Sequence, residues 1–174
     1  GVSEPPATVL DGSEFSGITF DITEEDIDRR SLEDPFFDVS IENVTSPEDV
    51  ILVNVGVTSN VDFGEQIVVQ AAVVEDDVLF EGTTYNNILK KLLFGGEGRT
   101  IDITWTDGTT QTQSAEWEIT TPVYEPDNLY IVAFVQDKIT REIYGTSILK
   151  APRKVQRAVT SIPLDIANQL KDVA

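Results

Sequence analysis

Every second side chain is apolar in several stretches of the chain. Residues 37–42, 101–105 and 115–119 each alternate apolar and polar positions. A strand with one buried face and one face in water requires this period of two. The Asp107-Gly108 pair between the last two stretches is typical of a tight turn, because glycine tolerates a positive φ. The three stretches therefore predict strands, with the last two joined as a hairpin.

Other segments are apolar at nearly every position and predict strands covered on both faces. They are residues 50–57, 67–74 and 129–135, with weaker strand candidates at 17–22 and 142–148. Val, Ile and Thr together supply 54 residues, whereas Leu and Ala supply 20. Branching at Cβ favours a pleated surface over a helix. We therefore predict an all-β fold, an immunoglobulin-like antiparallel β-sandwich of seven to nine strands with one short helix.

The short helix is predicted near residues 84–94. Apolar side chains recur at the i, i+3, i+4 and i+7 positions from Tyr85, which is the spacing of one helical stripe. Thr84 is available as an N-cap, and Gly95 would end the helix.

The pattern also suggests a division of the chain. Residues 1–12 are predicted to be a linker or N-terminal segment, 13–150 the sandwich domain, and 151–174 a basic connector and C-terminal tail. Within the tail, residues 161–174 fit a second helix or a linker equally well. The chain starts with Gly and contains no Met, so we expect a processed or excised piece of a longer protein.

Composition excludes several kinds of chemistry. The chain has no His and no Cys, so it cannot build a Ser/His/Asp or Cys/His nucleophile, and it lacks the usual ligands of zinc, haem and iron–sulfur centres. With 31 acidic against 12 basic side chains, the formal charge of −19 argues against a nucleic-acid partner. No run of apolar residues is long enough to predict a membrane-spanning segment.

The charge is unevenly distributed. Residues 1–87 hold 20 acidic and 2 basic side chains, a net of −18, whereas residues 88–174 hold 11 and 10, a net of −1. A basic cluster follows the last predicted strand and comprises Lys150, Arg153, Lys154 and Arg157. This cluster is interpreted as a solvated connector or as a docking segment for an acidic partner or for the domain's own acidic half.

Acidic clusters are the candidate metal ligands. Glu75, Asp76 and Asp77 follow an apolar run, and further carboxylates lie within 24–28 and in the pair Asp11 and Glu14. Calcium is the cofactor that such oxygens would take, since it binds six to eight of them. The alternative is that Glu75 to Asp77 form a solvated turn and that residues 24–30 form an exposed helical turn or loop. No other cofactor is predicted.

Aromatic side chains are the candidate sugar-binding groups. Trp105 and Trp117 share faces with aliphatic neighbours across the Asp107-Gly108 turn, which favours a cross-strand core pair over a ligand platform. Tyr124, in the loop 122–126, is the better ligand-binding candidate. A pair of carboxylates that hydrolyses a glycosidic bond is a further alternative, although the sequence singles out no pair.

Two segments carry a family resemblance. Residues 85–96, followed by a strand that ends at Trp105, and residues 128–137, followed by Glu142-Ile143, resemble the carboxyl-terminal half of the Bacteroidetes outer-membrane lipoproteins related to the 28-kilodalton outer-membrane protein. The similarity covers about residues 60–150. It implies an immunoglobulin-like half that follows a thioredoxin-like half, and a place in the bacterial envelope. It transfers no catalytic residue.

These observations predict a non-catalytic accessory or interaction domain of an exported cell-surface or outer-membrane-associated protein. The expected location is extracellular, on the cell surface or in the periplasm, and the partner is a protein or a glycan that the sequence does not identify. The alternatives are a calcium-stabilised adhesion or carbohydrate-binding module and, less favoured, a two-carboxylate hydrolase.

Overall fold

A computed structural model describes residues 7–11, 15–18, 22–46 and 50–150 of the chain. These ranges contain twelve strands, one α-helix and a 3-10 turn at Pro126–Asn128. In chain order, the elements are β1 (Ala7–Leu10), β2 (Phe15–Ile18), α1 (Glu24–Ser31), β3 (Phe37–Ser46), β4 (Val50–Ser59), β5 (Ile67–Glu75), β6 (Val78–Phe80), β7 (Thr83–Tyr85), β8 (Ile88–Leu92), β9 (Arg99–Ile101), β10 (Thr110–Glu118), β11 (Leu129–Asp137) and β12 (Ile143–Lys150).

Two antiparallel sheets form the body of the fold. One has the strand order β10-β4-β3, and the other has the order β12-β11-β5-β8, with β9 also paired to β5. The pairs β1–β2 and β6–β7 form separate two-stranded sheets. The predicted all-β sandwich is therefore confirmed, while its immunoglobulin-like character stays a prediction.

The core lies between the two sheets. Alternate side chains of β4 and β11 are buried, and they pack with β5, which is buried on both faces at most positions. The prediction of a strand covered on both sides is thus confirmed for β5. It is wrong for β4 and β11, because their outer faces are only partly covered and alternate with the buried face.

The prediction of a helix near residues 84–94 is wrong. The segment forms β7 and β8 instead, and β8 pairs with the edge of β5. A lone helix of this length is marginal in water, whereas the edge of β5 offers backbone hydrogen-bond partners and apolar neighbours.

The helix of the structure is α1, in the segment predicted to be an exposed helical turn or loop. Thr23 caps it: its hydroxyl accepts from the N–H of Asp26, and the Asp26 carboxylate accepts from the N–H of Thr23. No residue of α1 is buried, so the exposed interpretation of this acidic segment is confirmed. In the described ranges, no helix is long and apolar enough to cross a membrane.

The predicted hairpin around Asp107-Gly108 is also wrong, although the turn itself is present with Gly108 at φ 78°. β9 pairs with β5 and β10 pairs with β4, so the turn connects the two sheets. Trp105 and Trp117 are both buried, as predicted, but they are not a cross-strand pair. Trp117 lies on β10, whereas Trp105 lies between β9 and β10 and forms an isolated bridge with Phe63.

Several predictions concern residues outside the described ranges. The choice between helix and linker at 161–174 falls there, as do Glu14 and every basic residue of the connector except Lys150, which ends β12. The domain boundaries at 12 and 150 stay predictions.

Candidate functional site

The first candidate site lies where β5 ends. Glu75 is fully buried there, and its Oε1 accepts hydrogen bonds from the backbone N–H of Tyr124, at 2.5 Å, and of Glu125. Its Oε2 lies 2.9 Å from Nζ of Lys90, whose side chain is itself only 6% exposed. The carboxylate of Glu75 therefore connects the end of β5 to β8 and to the loop at residues 124–125.

A bulge in β8 brings Lys90 to this position. Val73 pairs with Lys91 and Val74 pairs with Leu89, so Lys90 is the extra residue without a partner on β5. A bulge of this kind redirects a side chain. Lys90 also lies over the ring of Tyr124, with Nζ 5.3 Å from the ring centroid, in cation–π geometry.

The structure thus brings two sequence-predicted site residues together. Glu75 holds the backbone of Tyr124, whose side chain is half exposed. Asp76 accepts from the N–H of Asn87 at 3.2 Å, and Asp77 is exposed in a left-handed conformation. The solvated-turn alternative is wrong for Glu75, because a strand end buried on both faces places that carboxylate inside.

The calcium interpretation of Glu75, Asp76 and Asp77 stays a prediction. In the part of the chain that the structure describes, no three acidic side chains are grouped in a way that could hold a metal ion. Both oxygens of Glu75 already face positive or N–H partners, which are the groups that a cation would have to replace.

The second candidate site is a cleft of about 940 Å³. It is formed by α1, the segment 32–36 that follows it, and the first residues of β3 and β12. This volume lies within the range of small-molecule and peptide-side-chain sites. No local sequence pattern indicates this cleft, because the residues that form its walls are distant in the chain. The capping pattern of Thr23 and Asp26 is the one local signal that could have located α1.

Arg30 organises one wall of the cleft. Its Nε donates to Asp11, its Nη1 lies 2.5 Å from Glu33, and its Nη2 donates to the carbonyl of Ile143 at 2.6 Å. Asp11 also accepts from the N–H of Ile143. Burial alone would lower the pKa of Arg30, but the hydrogen bond and charge of Asp11 outweigh burial and raise it. The guanidinium therefore stays charged, and it fastens α1 to the edge of β12.

Aromatic rings form the floor of the cleft. Phe36 is 42% exposed, and its ring centroid lies 5.3 Å from that of Tyr144, which in turn contacts Phe63. Burial, together with the nearby charges of Asp137 and Glu142, raises the pKa of Tyr144 to about 12. The phenol stays neutral, and its surroundings disfavour an additional negative charge.

No family model and no curated protein matches this chain. Among solved structures, it is similar to a domain of the outer membrane lipoprotein Omp28 from Porphyromonas gingivalis, with 18% identity and a TM-score of 0.53 over 67% of this chain and 88% of that one. The resemblance drawn from the sequence is thus confirmed in its fold.

Weaker likeness extends to glycosidases. β-Glucuronidase 2 of Bacteroides uniformis is 13% identical with a TM-score of 0.41, and the match spans 66% of this chain and 14% of that one. A β-glucosidase of Kluyveromyces marxianus is 17% identical with a TM-score of 0.39, and the match spans 67% and 14%. Such matches involve a small part of each enzyme, and no activity is inferred from them.

Proposed function

We propose that this chain is a non-catalytic accessory and interaction domain of an exported bacterial protein at the cell surface or outer membrane. The observation that carries the proposal is the similarity of fold to the Omp28 domain, which extends over 88% of that domain. The immunoglobulin-like character of the sandwich is part of the same proposal.

The use of the buried polar groups supports the non-catalytic part. The buried polar or charged residues of the described ranges each hold the backbone of a nearby segment. Ser59 donates to the carbonyl of Val61, Gln70 bonds both Gly95 and Ala71, and Glu75 and Asp137 accept from loop N–H groups. Each of these hydrogen bonds holds a strand or loop backbone in place, and this structural role accounts for the burial of the four side chains without a catalytic one.

The catalytic question is tested with the purified chain and a panel of aryl glycosides and aryl esters. We expect no turnover above that of the buffer. Hydrolysis that is abolished by substitution of one exposed carboxylate, such as Asp34→Asn, while thermal unfolding shows a folded variant, would overturn the proposal.

The location is tested separately, with an antibody against the domain and fractionated cells of the source bacterium. We expect the antigen in the envelope or medium, and accessible to protease on intact cells if it is at the surface. Recovery in the cytoplasmic fraction alone would contradict an exported protein.

A sugar-binding module with Tyr124 as its platform is the second candidate. The observation that favours it is the half-exposed ring, held by Glu75 through the backbone and covered on one face by Lys90. A preorganised ring loses little entropy on binding. Glycan-array binding that is lost in Tyr124→Ala and kept in Tyr85→Ala, with both variants folded, would favour this candidate.

A calcium-stabilised module is tested by thermal melts in calcium and in chelator. A ligand that binds only the folded state raises stability by RT ln(1 + [L]/Kd). A midpoint that rises with calcium and loses the rise in Asp76→Asn would support the site at Glu75 to Asp77, whereas identical melts would exclude it.

A further inference from the structure

The cleft beside α1 has an unusual balance of charge. The described residues that line it include five carboxylates and one cation, Arg30. Arg30 directs its three nitrogen groups to Asp11, Glu33 and the carbonyl of Ile143. The charge of Arg30 is therefore already offset by Asp11 and Glu33. The negative charge of the other carboxylates in the lining can attract a cationic ligand.

The acidic groups surround an apolar floor. Phe36, which is 42% exposed, lies against Tyr144, and Ile27 of α1, 51% exposed, also lines the cleft. Asp34 lies at the rim and has no hydrogen bond or ion pair to another described residue. A cavity with an aromatic floor and a carboxylate rim matches a ligand that combines an apolar stem with a cationic end.

Lys and Arg side chains have this construction. Their methylene stems pack on apolar surface while the charged head remains near water or over an aromatic face. Burial is the main cause of the raised pKa of Tyr144, and nearby carboxylates add to it. Those carboxylates disfavour a phenolate and favour a cation.

We propose that this cleft binds a basic, Lys- and Arg-containing peptide segment of a partner protein. The proposal deepens the interaction function given above and rests on it. The cleft is open to solvent and large enough for several side chains, so an extended segment can enter without a lid. The formal charge of −19 would accelerate the approach of such a segment.

The experiment measures fluorescence anisotropy of a labelled peptide of alternating Lys, Arg and Ser, titrated with the full chain. We expect saturable binding that weakens as salt rises. Asp34→Asn/Asp38→Asn should weaken binding about tenfold or more, since two carboxylates of the lining that do not pair with Arg30 lose their charge. Phe36→Ala should weaken it without changing the slope of affinity against salt, because no charge is removed.

The matched control is Glu116→Gln/Glu118→Gln on β10. It removes the same charge at the far end of the three-stranded sheet, since Glu118 pairs with Val50 whereas the cleft lies at Phe37, whose partner is Ser59. The separation is on the order of 25–30 Å along the strands. The control variant should keep its affinity, and thermal unfolding should show that all variants fold.

Three outcomes would overturn the proposal. One is the absence of saturable binding at low salt, and another is an equal loss in the β10 control, which would mean attraction to net charge alone. The third is displacement by spermine at the same charge concentration, which would make the cleft a polyamine site. None of these outcomes measures turnover, so the proposed non-catalytic function is tested independently by the hydrolysis assay.

Discussion

Glu75 and Lys90 form an ion pair that is almost wholly removed from water, with exposed fractions of 0% and 6% for the two side chains. Removing two charges from water costs free energy. Their attraction offsets this cost only if the other lone pairs and protons of the two groups also find partners. The N–H groups of Tyr124 and Glu125 both donate to Oε1 of Glu75, Oε2 faces only the ammonium of Lys90, and the Tyr124 ring contacts that ammonium. The arrangement therefore depends on all of its members.

Removal of one charge should be much more costly than removal of both. We expect Glu75→Gln to lower the free energy of unfolding by about 3–5 kcal/mol, because Lys90 is left buried without its counter-charge. Glu75→Gln/Lys90→Met should recover part of that loss. Urea unfolding gives the free energy of unfolding of the unmodified chain, the single variant and the double variant, with the exposed Asp77→Asn as the control. Equal urea midpoints for Glu75→Gln and Asp77→Asn would contradict the prediction.

Gly145 marks the closest approach of β12 to β3. A Cβ built at Gly145 would overlap the carbonyl oxygen of Phe37 and touch Val39. We expect Gly145→Ala to destabilise the fold by about 1–3 kcal/mol, because the backbone must shift to make room.

Gly96→Ala is the matched comparison, since a Cβ there meets nothing within 4 Å. Urea midpoints of the two variants measure the difference. Equal midpoints would mean that the two strands lie farther apart than the structure shows.

At the scale of the element, Asp137 ends β11 and organises the turn into β12. Its Oδ1 accepts from the N–H groups of Ile139, at 2.6 Å, and Thr140. Burial alone would raise the pKa of Asp137, but these two N–H groups, the Thr140 hydroxyl and the charge of Arg141 outweigh it and lower the pKa from its ordinary value of 3.8. The ionised carboxylate is therefore the form that stabilises the turn.

The pH dependence follows from that direction. A lowered folded-state pKa gives stability that is fully present above the ordinary value and is lost as the pH falls through the folded value. We expect Asp137→Asn to unfold at lower urea than the unmodified chain at pH 7, by about 1–3 kcal/mol. The gap should narrow as the pH falls below 3.8, because the carboxylate of the unfolded chain gains its proton before the folded one does.

The exposed Asp102→Asn is the control for that comparison, and it should show little difference at either pH. A gap between Asp137→Asn and the unmodified chain that is the same at pH 7 and pH 3 would show that the charge of Asp137 plays no part in the turn.

The elements differ in how far local pattern could predict them. β3 and β10 follow from alternation, because one face of each is more exposed than the other at the positions described, whereas β12 is only a weaker candidate. β8 does not, since its apolar spacing fits a helix and only the edge of β5 and the Lys90–Glu75 pair make it a strand. Non-local pairing of this kind leaves no local signal.

The candidate sites show the same limit. An acidic residue at the end of an apolar run covered on both faces could have been predicted to be buried and to need a counter-charge, but Lys90 is identified only by the bulge that directs it. Tyr124 was predicted as exposed in a loop, and it is half exposed. The cleft requires Asp11, α1 and β12 to meet, which no stretch of sequence alone contains.

At the scale of the whole molecule, the formal charge of −19 destabilises the folded chain, and the ion pairs and hydrogen bonds described above do not remove that charge. Net charge far from zero opposes the compact state through repulsion between like groups. The arginines of the first 87 residues, Arg29 and Arg30, lie on α1, and Arg30 pairs with Asp11 and Glu33. With 20 acidic and 2 basic side chains in that half, most of its carboxylates have no cation in the same half to offset their charge.

Monovalent salt should therefore stabilise the fold. From about 10 mM to about 100 mM salt, the screening length falls from about 30 Å to about 10 Å, which removes most repulsion between distant carboxylates. We expect the free energy of unfolding to rise on the order of 1 kcal/mol over that range, with the steepest gain at low salt. Urea is the suitable denaturant because it adds no ions, and a chelator keeps divalent cations from contributing.

The control for this effect is Glu42→Gln/Glu65→Gln, which removes two exposed charges from the acidic half. Its stability should be higher than that of the unmodified chain at low salt and should respond less to added sodium chloride, because less repulsion remains to be screened. A matched pair from the nearly neutral half, Glu97→Gln/Lys91→Gln, leaves the net charge unchanged and should leave the salt response unchanged. Unfolding midpoints that stay flat from low to moderate salt would show that the carboxylates of residues 1–87 are already spaced or paired well enough not to repel.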